Sequence, residues 1–102
     1  MKFIVFCLLL GFMHTDQWLT VSEKTTIEGV VLGKEDNRPL ANAYVYVTKG
    51  EEEAVTDRQG RFRLITWQNL PVTITAEYPG YKKLSLQARK QGEKLLFELP
   101  AK

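Results

Sequence analysis

After position 14 this 102-residue sequence has no cysteine and no histidine: the single cysteine is Cys7 and the single histidine is His14. That absence removes thiol–imidazole pairs, Ser-His-Asp triads and the ordinary cysteine- or histidine-bound zinc sites from the body of the chain. It also removes any disulfide within it. A large charge of one sign is missing as well. Lysine and arginine number 14 against 12 aspartates and glutamates, a formal net charge of +2. That balance does not point to nucleic acid or an anionic membrane as partner. No apolar run is long enough to span a bilayer: the longest, residues 3–13, falls short of the roughly 18 residues a spanning helix requires. Past that run no segment has the apolar spacing of a helix.

What is present at the start is Lys2, then the apolar run, then polar residues. This is the pattern of a secretory signal. Thr20-Val21-Ser22 is the best small-x-small triplet, so residues 1–22 are expected to be a signal peptide and residues 23–102 a single exported domain. Cys7 and His14 leave with the signal, and no stable membrane span is expected after processing. Export without cysteines fits a bacterial envelope protein better than a disulfide-stapled secreted domain.

The remainder reads as short strands. Residues 24–32 place Ile27, Gly29 and Val31 on one face, and a glycine inside a strand marks a bulge or a close backbone approach. Residues 43–48 place Ala43, Val45 and Val47 on one face and Tyr44, Tyr46 and Thr48 on the other. The small and β-branched set is expected to be the core side, leaving the tyrosines outward. Thr56-Asp57-Arg58-Gln59-Gly60-Arg61-Phe62 reads as a β-hairpin between strands 54–56 and 61–65. Asp57 can accept backbone N–H groups about two residues on, and Gly60 tolerates a left-handed conformation. Phe62 and Leu64 then alternate with Arg61, Arg63 and Ile65. Residues 72–77, 83–87 and 94–99 repeat the period of two, with a turn at Tyr78-Pro79-Gly80-Tyr81. Seven short strands at roughly 8–12-residue spacing indicate an all-β sandwich or barrel.

Chemistry-bearing clusters are few. Glu51-Glu52-Glu53 sets three like charges side by side, without the interleaved oxygen ligands and turn glycine of a calcium loop, and reads as a solvated turn. Arg58, Arg61, Arg63, Lys82 and Lys83 could form a basic patch, but no aromatic platform accompanies them, so nucleic-acid binding is not expected. Neither a cofactor nor a metal site is expected, and no catalytic residues are identified. The candidate binding face is Tyr44 and Tyr46, which share one side of a strand, together with Trp67.

Ile27-Glu28-Gly29-Val30-Val31, then Arg38-Pro39-Leu40-Ala41-Asn42-Ala43-Tyr44-Val45, then Thr56-Asp57-x-x-Gly60-x-Phe62, then Gly80-Tyr81 follow one another in fixed order. In this the chain resembles the carboxypeptidase regulatory-like domain. The resemblance implies a Greek-key β-sandwich of about seven strands, transthyretin-like or prealbumin-like, over about residues 25–99. It implies a non-catalytic accessory role of the kind seen beside metallocarboxypeptidases and ahead of the plug and barrel of TonB-dependent outer-membrane receptors. It also implies structural duties for Gly29, Thr56, Asp57, Gly60, Phe62, Gly80 and Tyr81, the last packing its ring and bonding its hydroxyl to a loop. The expected function is protein interaction or assembly in the periplasm or at the cell surface of a Gram-negative bacterium, with an envelope protein as partner. The alternative is a carbohydrate-binding module that uses surface aromatics on a glycan.

Overall fold

The computed structural model describes residues 24–102. The expected signal peptide, with Cys7 and His14, lies outside the described residues. Seven strands follow: β1 (Thr25–Gly33), β2 (Tyr44–Thr48), β3 (Glu52–Val55), β4 (Arg61–Thr66), β5 (Val72–Glu77), β6 (Leu84–Ala88) and β7 (Lys94–Leu99). They form a three-stranded sheet in the order β4-β1-β7 and a four-stranded sheet in the order β3-β2-β5-β6. The all-β, seven-stranded sandwich expected from the strand spacing is therefore the fold.

The period of two decides which side chains meet between the sheets. Ile27 and Val31 of β1, Phe62 and Leu64 of β4, and Phe97 and Leu99 of β7 point inward from the smaller sheet. Ala43, Val45, Val72, Ile74 and Ala76 meet them from the larger one. Phe62 and Phe97 sit with ring centroids 5.9 Å apart. Fully burying a side chain of this size contributes roughly 1.5–3 kcal/mol, so the two phenylalanines anchor the smaller sheet.

Strand neighbours in space are often far apart in the chain. β1 pairs antiparallel with β4 and parallel with β7, and β2 pairs with β5. The parallel β1–β7 pair is not visible in any local motif, because no short turn can join parallel strands.

The segment read as a β-hairpin is not one. The turn itself forms: Asp57 N–H donates to the Arg61 carbonyl and Gly60 N–H to the Asp57 carbonyl, both at 2.9 Å. Its two arms then separate into different sheets. Thr56 N–H donates to the Ala43 carbonyl at 3.0 Å, while the Gly60 carbonyl accepts Val31 N–H at 2.8 Å. β3 pairs with β2 and β4 with β1. Asp57 and Gly60 demand only a reversal of the chain. Which ladder each arm joins is decided by strands elsewhere in the sequence, so the turn is a crossing between sheets.

Candidate functional site

Asp57 holds the crossing turn together. Its Oδ1 accepts the backbone N–H groups of Gln59 and Arg61, both at 2.9 Å. These bonds, with that from Arg61 first, keep its carboxyl below the usual range. Gly60 has φ +79°. Thr56 is buried and outside the turn proper. Its hydroxyl donates to the Leu40 carbonyl and accepts Ala43 N–H at 2.8 Å, tying the crossing to the loop before β2. Phe62 covers Gly29.

Gly80 and Tyr81 lie in the connection from β5 to β6. Tyr81 N–H donates to the Tyr78 carbonyl at 3.0 Å, and Gly80 has φ +87°. This loop is stitched to the last residues: Lys82 N–H donates to the Pro100 carbonyl at 2.7 Å, and Lys102 N–H to the Gly80 carbonyl at 3.0 Å. Tyr81 packs its ring beside Gly33. Contrary to expectation, its hydroxyl makes no hydrogen bond among the described residues. The ring's packing and the backbone bonds hold the loop instead.

Tyr44 and Tyr46 share a side of β2, with ring centroids 4.9 Å apart and planes tilted by 38°. The expectation of two outward, accessible tyrosines needs correction for Tyr46, which retains 9% of its exposure. Its hydroxyl donates to Glu77 of β5 at 2.5 Å, and the Lys49 ammonium stands 5.2 Å from its ring centroid. Lys49 also pairs with Glu77 at 3.4 Å. The face is outer, but a neighbouring strand and a lysine stem cover the ring. Burial, then the bond to Glu77, pushes the Tyr46 phenol up to about 12. The same bond, reinforced by Lys49, holds Glu77 low. Tyr44 is half-buried. Its hydroxyl donates to Glu53, which raises its pKa, and accepts Gly50 N–H.

Trp67 is exposed in the loop after β4. No aromatic contact joins it to the two tyrosines among the described residues. Its backbone N–H donates to Glu52 at 2.9 Å. Glu52 also accepts the Thr66 hydroxyl at 2.7 Å and the Gln68 amide at 3.3 Å. Burial alone would raise Glu52, but these three bonds together hold it below the usual range. The expected solvated turn of three glutamates is thus a correction as well. Residues 52 and 53 belong to β3, and Glu52 clamps the end of β4 to the opposite sheet. No cluster of metal-ligating side chains occurs among the described residues.

Two surface grooves remain. One runs over the outer face of the β4-β1-β7 sheet to Val55 of β3, where Val30, Val55 and Leu96 are flanked by Lys94 and by two cations paired within the groove, Arg61 with Asp57 at 3.4 Å and Arg63 with Glu28 at 3.8 Å. The other joins Tyr44, Tyr78 and Tyr81 to Lys49, Lys82 and Lys83, with Glu77 at its edge. The five cations considered together in the sequence are therefore divided: Arg61 and Arg63 stand by one groove, Lys82 and Lys83 by the other, and Arg58 lines neither. Tyr78 and Tyr81 were legible as one turn in the sequence, directly before Lys82 and Lys83. That Tyr44, Lys49 and Glu77 join them depends on the β2–β5 pairing, which sets Tyr44 opposite Glu77.

A family model described as the CarboxypepD_reg-like domain matches residues 27–102. No curated protein matches the chain. Among solved structures, a crystal structure of a 9R-lipoxygenase from Cyanothece PCC8801 is similar at 14% identity and a TM-score of 0.46. The match covers 76% of this chain and 16% of the lipoxygenase chain.

Proposed function

Because the chain belongs to the CarboxypepD_reg-like domain family, a family of non-catalytic regulatory-like modules, we propose that it is an exported interaction module of a Gram-negative envelope, accessory to a receptor or peptidase system. The observation that supports this reading is the groove on the outer face of the smaller sheet. Val55 and Leu96 are 61% and 53% exposed there, with Val30 between β4 and β7. Apolar side chains rimmed by polar and charged residues are the composition of a protein-binding patch. The partner is an envelope protein that brings apolar side chains to Val30, Val55 and Leu96 and an acidic residue to Lys94, which has no ion pair among the described residues.

Photocrosslinking from position 96 in envelope preparations tests this reading. One dominant crosslinked protein is expected, lost when Leu96→Glu is introduced beside a probe at position 55. Unchanged crosslinking in that folded variant overturns it. Export rests on the signal pattern of residues 1–22, with 23–102 as the mature domain in the periplasm or at the cell surface. Mass spectrometry of native material is expected to find a start between about Asp16 and Lys24. Intact Met1 in a membrane fraction overturns that part. No helix among the described residues is long and apolar enough to cross a membrane.

A second reading, carbohydrate binding, is favoured by the cleft in which Tyr44 meets Tyr78 and Tyr81. This cleft replaces the Tyr44, Tyr46 and Trp67 strip, since Tyr46 is covered and Trp67 stands apart.

A further inference from the structure

We propose that the cleft beside Tyr44 binds a uronate-bearing oligosaccharide, with lysine ammonium groups taking the sugar carboxylates and tyrosine rings taking the sugar faces. The proposal rests on the carbohydrate reading above and adds to it the charge of the ligand.

Charge is the first argument. Four lysines line the cleft, Lys49, Lys82, Lys83 and Lys102, against one acidic side chain, Glu77, in a chain whose formal net charge is only +2. Glu77 is already engaged, by the Tyr46 hydroxyl and by Lys49 at 3.4 Å. Lys82, Lys83 and Lys102 line this concave surface and form no ion pair among the described residues. Clustered cations over such a surface attract anions from solution. All four cations are lysines. Their rotatable point charges suit carboxylates spaced along a flexible chain, whereas arginine's rigid fork favours one bidentate partner.

The shape of the floor selects a sugar over a peptide. Tyr44 lies on β2 and Glu77 on β5, and both strands are interior to the four-stranded sheet. Tyr44 is paired on both sides, with Val55 of β3 and Glu77 of β5, so an extended peptide finds no free edge at Tyr44 on which to add a strand. A saccharide needs no ladder. It needs flat apolar surface and hydroxyl partners, which tyrosine supplies in one side chain. The Tyr78 and Tyr81 rings meet edge-on with centroids 5.7 Å apart. Their hydroxyls make no hydrogen bond among the described residues and can serve sugar hydroxyls. Tyr44 is held in place by its stacking on Tyr46 and its bonds to Glu53 and Gly50. The wall is therefore set before a ligand arrives, which limits the ordering cost of binding.

The test is calorimetric titration of the exported protein with trigalacturonate, its fully methyl-esterified form, and a glutamate-rich peptide. Binding of trigalacturonate is expected, weakened by added salt. The double variant Lys82→Ala, Lys83→Ala, both exposed positions, is expected to bind about tenfold more weakly with an unchanged melting temperature. Tyr81→Leu, checked for folding in the same way, is expected to weaken the acidic and esterified sugars alike. Equal binding of the esterified and acidic sugars overturns the charge assignment and leaves the carbohydrate reading standing. Binding of neither sugar overturns both. Binding of the peptide as tightly as the sugar transfers the cleft to acidic protein segments and overturns the saccharide assignment.

Discussion

Phe62 lies across Gly29 from the neighbouring strand, so that a Cβ placed on Gly29 would stand 2.8 Å from two carbons of the ring. The same Cβ would also collide with the Leu95 carbonyl oxygen. Gly29 is paired with Phe62 on one side and Leu95 on the other, at the centre of the three-stranded sheet. The missing side chain is what lets the Phe62 ring reach inward to Phe97.

Gly29→Ala is therefore expected to destabilise the domain by about 1–3 kcal/mol, the usual cost of overpacking, or more because one obstacle is backbone. Phe62→Ala is expected to cost about 3–5 kcal/mol. Shrinking the ring does not rescue the glycine change: Gly29→Ala with Phe62→Leu remains destabilised, since the Leu95 carbonyl stays in place. Urea midpoints of the three variants check this, and full recovery in the double variant contradicts it.

Thr56 permits a cleaner separation of hydrogen bonding from packing. Its buried hydroxyl serves Leu40 and Ala43 at once. Thr56→Val keeps the shape and strands both partners, with an expected loss of about 1–3 kcal/mol for each buried group left unpaired. Thr56→Ser keeps both bonds and is expected to lose about 0.8 kcal/mol for the missing methyl group. Thermal unfolding that ranks valine above serine contradicts the assignment.

Two glycines with positive φ are expected to respond differently. A Cβ on Gly60 meets the Val31 carbonyl oxygen at 2.6 Å, whereas one on Gly80 meets nothing within 4 Å. Gly80→Ala is expected to cost only the backbone strain, about 1–2 kcal/mol. Gly60→Ala adds a collision at the crossing between sheets and is expected to cost distinctly more. Chemical denaturation of the pair decides it, and equal losses contradict the close approach at Gly60.

The Tyr46–Glu77 bond gives a pH signature. The Tyr46 phenol is raised from 10.0 to about 12 in the folded state. A raised folded pKa means the stability it contributes is complete below pH 10 and is lost as pH climbs towards 12. On the acid side Glu77, Glu52 and Asp57 are lowered. Their contribution is present above their ordinary values and disappears as pH falls through the lowered ones. Ultraviolet titration is expected to show one tyrosine ionising near 12, absent in Tyr46→Phe. Loss of a tyrosine that ionises near 10 instead contradicts the upward shift of Tyr46.

Much of this architecture was legible because the strands are short and one-sided. Alternation in residues 61–65, 72–77 and 94–99 marked the buried face of β4, β5 and β7. Asp57 and Gly60 marked the turn between β3 and β4. The candidate site was legible only in parts. Tyr44 and the Tyr78 to Tyr81 turn stood out separately, but nothing local said they would line one cleft. Glu52 was misjudged because a row of glutamates looks solvated whatever its partners, and the partners here lie 14 and 15 residues away.

The amino-acid sequence by itself determined the strands, their inward faces, the reversal at residues 57–60 and the family to which they belong. These depend on period, turn chemistry and ordered motifs, all local or nearly so. The tertiary structure alone decided that β3 and β4 part into separate sheets, that β7 joins β1 in parallel, and that Lys49 and Glu77 close over Tyr46. Each of those outcomes depends on which distant strand supplies a ladder partner. A backbone edge offers the same donors and acceptors to any strand, so the choice is made only when the whole core packs.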